Sequence, residues 1–148
     1  MAKTELGDLG GKVCVDDQNE KTIPALGDGT SVPGDLVYID PADGKAKGSD
    51  VGTKEFFSGI LKESKITGPE TAIVAGIPCT VIVPKSGHNY RIRCIAAGDT
   101  DEVGSGVTFS GDAGKAETTD VTLALSKIGR LALEVLVGDT VCEITWIE

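Results

Sequence analysis

The residues able to do chemistry in this chain are few, and none stands in the spacing its chemistry requires. The single histidine, His88, lies in Lys85-Ser86-Gly87-His88-Asn89, which reads as a hairpin loop. A nucleophile and its base need a third group to orient the imidazole, and no Gly-x-Ser-x-Gly elbow accompanies it. His88 therefore reads as a solvated loop residue. Gly111-Asp112-Ala113-Gly114-Lys115-Ala116 invites comparison with a phosphate-binding loop. Such a loop needs a glycine where Phe109 stands and a magnesium-binding hydroxyl where Ala116 stands, so a hairpin turn is expected instead. Asp16-Asp17 and Asp99-Thr100-Asp101-Glu102 offer oxygens for calcium, yet lack ligands at set positions around a central glycine. Tyr90-Arg91-Ile92-Arg93 places two arginines on one strand face, where carboxylates or a partner are better matched than phosphate. Cys14, Cys79, Cys94 and Cys142 form no Cys-x-x-Cys pair and adjoin β-forming residues. They read as buried or half-buried free thiols, with a disulfide as the alternative, since connectivity is not legible in spacing. The expectation is a protein that is not an enzyme, with no catalytic residue, no cofactor and no metal site.

Charge narrows the partners. Fourteen basic residues against 23 acidic ones give a formal charge of −9, which repels phosphate backbones and anionic lipid surfaces. Aromatics at 4% deny a stacking platform for single strands. Neither nucleic acid nor membrane is expected as a partner. No apolar run approaches the ~18 residues that cross a bilayer, and Met1-Ala2-Lys3-Thr4-Glu5 lacks the apolar core of a secretory signal. Synthesis in the cytoplasm is expected. At 148 residues and 40% hydrophobic content, one core is possible, burying roughly two-thirds of the unfolded surface.

The elements that must position these residues are strands. Period-two runs rich in β-branched residues cover 12–15, 35–40, 55–61, 71–75, 79–83, 90–95, 107–109, 131–137 and 140–147. Twenty glycines, close to twice the usual ~7% share, imply many sharp turns. Pro41-Ala42-Asp43-Gly44, Gly111 to Gly114 and Val137-Gly138-Asp139-Thr140 read as hairpin turns. The last strand is expected to send Cys142, Ile144 and Trp146 to the core. Between 119 and 136 the positions Val121, Leu125, Ile128, Ala132 and Val135 also fit a helical stripe, against which Gly129 costs about 1 kcal/mol; strand is preferred, with room for one short helix. The fold class is all-β, a small barrel or sandwich.

Two features organise the chain. Residues 1–25 are glycine-rich and polar and read as an extended N-terminal arm, with 26–148 as a single β-barrel domain. In addition, an ungapped shift of 70 residues aligns Gly34 with Gly104, Val37 with Val107 and Gly44-Lys45-Ala46 with Gly114-Lys115-Ala116. It also aligns Asp50-Val51 with Asp120-Val121, Gly59 with Gly129, Leu61 with Leu131 and Gly68 with Gly138. Each copy, 34–68 and 104–138, reads as three strands, and the two together as one pseudo-symmetric barrel.

Gly34-Asp35-Leu36-Val37-Tyr38-Ile39, then Asp43-Gly44-Lys45-Ala46 and Gly59-Ile60-Leu61, resembles the small capsid decoration, or cement, proteins of tailed viruses. The closing Ile128-Gly129-Arg130-Leu131-Ala132-Leu133-Glu134 and Gly138-Asp139-Thr140-Val141 resembles their Gly-Arg-Ala-Leu-Glu and Gly-Asp-x-Val ending, with Leu131 interrupting the first pattern. The resemblance implies a non-enzymatic β-barrel on the outer surface of a virion, bound to the major capsid protein and often a homotrimer. Leu6, Leu9 and Ile23 would then be the arm's apolar anchors on neighbouring subunits. Two other readings stand beside it: a secreted or surface structural β-module, which predicts a disulfide, and a small-ligand-binding barrel, which predicts a deep apolar pocket.

Overall fold

The computed structural model describes residues 2–16, 20–119 and 127–148. Among them are ten strands: β1 Lys21–Leu26, β2 Leu36–Ile39, β3 Ala46–Gly48, β4 Gly59–Leu61, β5 Pro78–Val83, β6 Asn89–Arg93, β7 Gly106–Phe109, β8 Ala116–Thr119, β9 Lys127–Leu131 and β10 Val141–Trp146. They form two antiparallel five-stranded sheets, ordered β1-β5-β4-β2-β3 and β6-β10-β9-β7-β8. The all-β expectation holds, as a two-sheet sandwich and not a closed barrel. In each sheet one parallel bridge, Leu26 to Lys45 or Cys94 to Ala116, links the two edge strands, too little pairing to close the sheet.

The second sheet follows the plan of the first with every strand number raised by five. The 70-residue offset recurs in the registers: Val37 faces Gly48 as Val107 faces Thr118, and Val37 faces Gly59 as Val107 faces Gly129. The Gly34 N–H donates to the Leu61 carbonyl at 2.8 Å, as that of Gly104 does to Leu131 at 2.8 Å. Beyond Leu61 the halves fall out of step, because 62–77 precede β5 whereas only 132–140 precede β10. The match of Gly68 with Gly138 is therefore corrected. Gly138 donates to the Ala97 carbonyl, and it is Gly76 that donates to Gly27, the residue 70 positions before Ala97. Asp120-Val121 lies outside the described residues. Each copy supplies three strands as expected, β2 to β4 and β7 to β9, but each set lies in its own five-stranded sheet with two strands from outside the copy, so the expected single pseudo-symmetric barrel is corrected.

Close backbone approach explains the paired glycines in β4 and β9. A Cβ at Gly129 would stand 2.6 Å from the Thr145 carbonyl oxygen, and one at Gly59 would collide with that of Ile82. The strand preferred through Gly129 is present as β9, antiparallel to β10, while 120–126 lie outside the described residues. Gly44 and Gly114 take positive φ in the β2–β3 and β7–β8 turns, where an L side chain would be strained.

Several expected strands change. The run 12–15 contributes one bridge, Cys14 to Tyr90; 71–75 bends before the positive-φ turn at Gly76; and the run 131–137 leaves the sheet after Leu131. The run 55–61 splits into a short 3-10 turn, Lys54–Phe56, and β4.

Alternation along β2, β4 and β5 gives the first sheet two apolar faces. Leu36, Ile60 and Ile82 join the main core, which contains Val107, Ile128, Leu131, Ile144 and Trp146 of the second sheet. Val37, Leu61 and Val81 point the other way and build a smaller core with Ala25, Ala46 and Ile73. Phe57, just before β4, stacks on Trp146 at 5.5 Å and meets Phe109 edge-on at 5.3 Å, tying the sheets together.

Candidate binding surface

The expected extended arm is corrected to a strap folded against the body. Leu6, in the 3-10 turn Leu6–Leu9, is fully buried with Val13 and Cys14 in the main core, and Leu9 packs half-buried on the same cluster. Ile23 lies within β1 opposite Val81, so the boundary at residue 25 falls inside a strand. Backbone groups that a free arm would leave to water find partners here. The Glu70 carboxylate accepts the N–H groups of Leu6 (3.2 Å) and Gly7 (3.0 Å), and Glu63 accepts that of Val13 (3.0 Å). Arg91 donates its N–H to the Val13 carbonyl (2.7 Å), and Val15 donates to Asn89 (3.2 Å), so the strap extends the second sheet beside β6. At its start, Lys3 gives Asp139 both a backbone N–H (2.6 Å) and its ammonium (3.0 Å). Burial pushes the Asp139 carboxyl up, but the N–H groups of Leu136 and Lys3 and the Lys3 ammonium outweigh it and hold it below the usual carboxylate range. Leu6 and Leu9 thus serve the chain's own packing, while Ile23 is half-buried in the pairing of β1 with β5.

The polar candidates are also engaged in structure. His88 Nδ1 lies 3.6 Å from an Asp16 carboxylate oxygen at the surface. Lys115, in the loop compared with a phosphate binder, reaches across to Asp35 of the first sheet at 3.1 Å. Burial raises the Asp35 carboxyl above its ordinary value, against the pull of the Lys115 ammonium. Asp101 accepts the Thr118 hydroxyl at 2.6 Å, Asp17 lies outside the described residues, and no cluster of three metal-ligating side chains occurs among them. Arg91 pairs with Glu143 (3.0 Å) and Arg93 with Glu70 (3.1 Å), the carboxylate pairing their spacing suggests. All four cysteines are free thiols, three buried and Cys79 half-buried.

Large apolar side chains are exposed on both halves, Val103 and Val137 among those on the second, and two apolar grooves lie on the first. Ile66, 91% exposed, stands at the tip of the longer β4–β5 connection, a segment without a full counterpart before β10. With Val74 and Ile77, both exposed, it borders a groove of about 250 Å3 floored by Ile73. A second groove of about 330 Å3 lies between Phe56, 66% exposed, and Tyr38, Ile39 and Pro41. On its rim the Asp40 carboxylate, seconded by Asp43, pushes the Lys47 ammonium up to about 12. Sequence reading placed Phe56 inside the strand 55–61 and Ile66 in no expected strand. The signal available was an isoleucine flanked by Lys65 and Thr67-Gly68, an apolar residue in turn company.

No family model matches the chain, and no curated protein does.

Proposed function

We propose that this chain is a non-enzymatic structural protein that decorates and stabilises the outer surface of a viral shell, with the major capsid protein as partner and a homotrimer as the working form. The observation that carries the reading is the apolar groove around Ile66, Val74 and Ile77, left open on a body whose own core is already filled. Large apolar side chains exposed together mark docking surfaces for protein. The residues resembling decoration proteins add support: Gly34 to Ile39 make a turn and β2, Gly59 to Leu61 make β4, and Gly138 to Val141 lead into β10. A ligand that binds only the assembled lattice stabilises it by mass action, and many linked copies add avidity.

The test is imaging of the native particle. Copies of the chain on the outer face, at joints between capsid subunits and with the 62–77 connection inward, are the expected result. Shells that never take up the purified chain, or a chain found only away from the outer face, overturn the reading.

A further inference from the structure

Cys94 and Cys142 lie on adjoining segments of the second sheet, one residue beyond β6 and within β10. Ile92 faces Cys142, and the Cys94 N–H donates to the Thr140 carbonyl at 2.9 Å, so both side chains fall on the same face of the β6–β10 pair. Both are buried in the main core. The Cys94 thiol points on to the Asp139 carbonyl at 3.7 Å, and the neighbouring Cys94 sulfur together with burial pushes the Cys142 thiol well up. Asp139 is also the residue whose carboxylate holds the start of the strap through Lys3, and the next residue, Thr140, donates its N–H to the Lys3 carbonyl at 2.9 Å. The strap end and the thiol pair therefore share one anchor.

We propose that Cys94 and Cys142 are a redox modification site: a thiol pair that converts to a disulfide by exchange with a small disulfide, under the control of the N-terminal strap. In the first step one protein thiolate attacks a sulfur of the small disulfide, expelling one thiol and leaving a mixed disulfide. In the second the other protein thiolate attacks the protein-bound sulfur, expelling the second thiol. Two protein thiols lose two protons and two electrons, and the small disulfide is reduced to two thiols. With the strap in place, the neighbouring Cys94 sulfur and burial keep the Cys142 thiol protonated and unreactive. Exchange then waits on local opening, whose population sets the rate. Cys14 bonds instead to the Asp16 carbonyl at 2.8 Å, and Cys79 belongs to the smaller core, so neither competes for the pair. This inference goes beyond the shell-binding reading and is testable on the isolated chain.

The experiment treats the folded, full-length protein with oxidised glutathione and maps peptides without reduction. The expected product is a cross-link between the peptides carrying Cys94 and Cys142, with neither left titratable in native protein. Lys3→Met, which removes the ammonium from Asp139 and leaves the strap backbone intact, is expected to speed the cross-link about tenfold, the factor a lost charge-assisted hydrogen bond supplies to opening. Persistent glutathione adducts at either cysteine, a different pairing, or cross-linking only after denaturant overturn the site. A rate indifferent to Lys3→Met overturns control by the strap.

Discussion

Two buried aspartates respond to pH in opposite senses. Asp139 has its carboxyl held below the ordinary range, so its stabilising contribution is present above the unfolded value and is lost as pH falls through the folded one. Asp35 has its carboxyl raised by burial, so its contribution is greatest at low pH and is lost as pH rises through the folded value. Acid should therefore loosen the strap at Lys3 while sparing the contact between sheets at Asp35. Asp139→Asn removes the ion pair with Lys3 at a site with no side-chain exposure and is expected to cost about 2–3 kcal/mol at neutral pH. The gap between variant and parent should narrow as pH falls from the ordinary carboxylate value through the lower folded one, where the parent carboxyl also becomes neutral. Urea unfolding of both proteins at several pH values checks this, and a gap constant across pH would sink the assignment. Neither aspartate announced itself in the sequence. Asp35 and Asp139 stand in ordinary Pro-Gly-Asp and Val-Gly-Asp turns, and their burial comes from elements far away along the chain.

The strap is where sequence and structure part most clearly. Leu6-Gly7-Asp8-Leu9-Gly10-Gly11 looks flexible because glycines and acids dominate it, yet its partners, Glu63 and Glu70, sit in the 62–77 connection and close the seam only in three dimensions. β1 hides for a related reason. Its run, Lys-Thr-Ile-Pro-Ala-Leu, has a proline at its centre, which reads as a break but is tolerated because β1 is an edge strand of its sheet. By contrast β10 was legible outright, since Cys142, Ile144 and Trp146 alternate with Glu143 and Thr145 and all three are buried. Removing residues 2–16 takes Leu6, Val13 and Cys14 out of the main core, at about 1.5–3 kcal/mol for each fully buried aliphatic chain. A loss of about 5 kcal/mol and a fall in Tm of roughly 10–20 °C are expected by calorimetry. A truncated protein melting with the parent would restore the idea of a detachable arm.

The two sheets share one plan but not one surface, which is why the sequence repeat survives at turns and fades along strands. Gly44 and Gly114 meet the same turn geometry and Gly59 and Gly129 the same close approach, so both pairs are retained. The side chains between them face different surroundings. Leu36, Ile60 and Ile82 lie in the main core, while the residues in the equivalent register positions of the second sheet are Gly106, Arg130 and Thr145. One half has become the filling between two cores, and the other has kept a polar outer face. The longer 62–77 connection on the first half both holds the strap, through Glu63 and Glu70, and lifts Ile66 into solvent. Internal and external work are thus divided along that connection, and substitutions can separate them. Ile66→Asp with Val74→Asp puts charge on exposed positions, where stability normally changes by only about 0.5 kcal/mol each. If this groove is the contact with a shell, each lost anchor should weaken binding by about 2 kcal/mol, roughly 30-fold, and the loss should compound across linked copies. The expected outcome in co-sedimentation is a variant that melts like the parent and leaves shells bare. Undiminished occupancy by that double variant would move the contact surface away from the groove, while a variant that no longer melts cooperatively would show Ile66 and Val74 to be part of the fold's own packing.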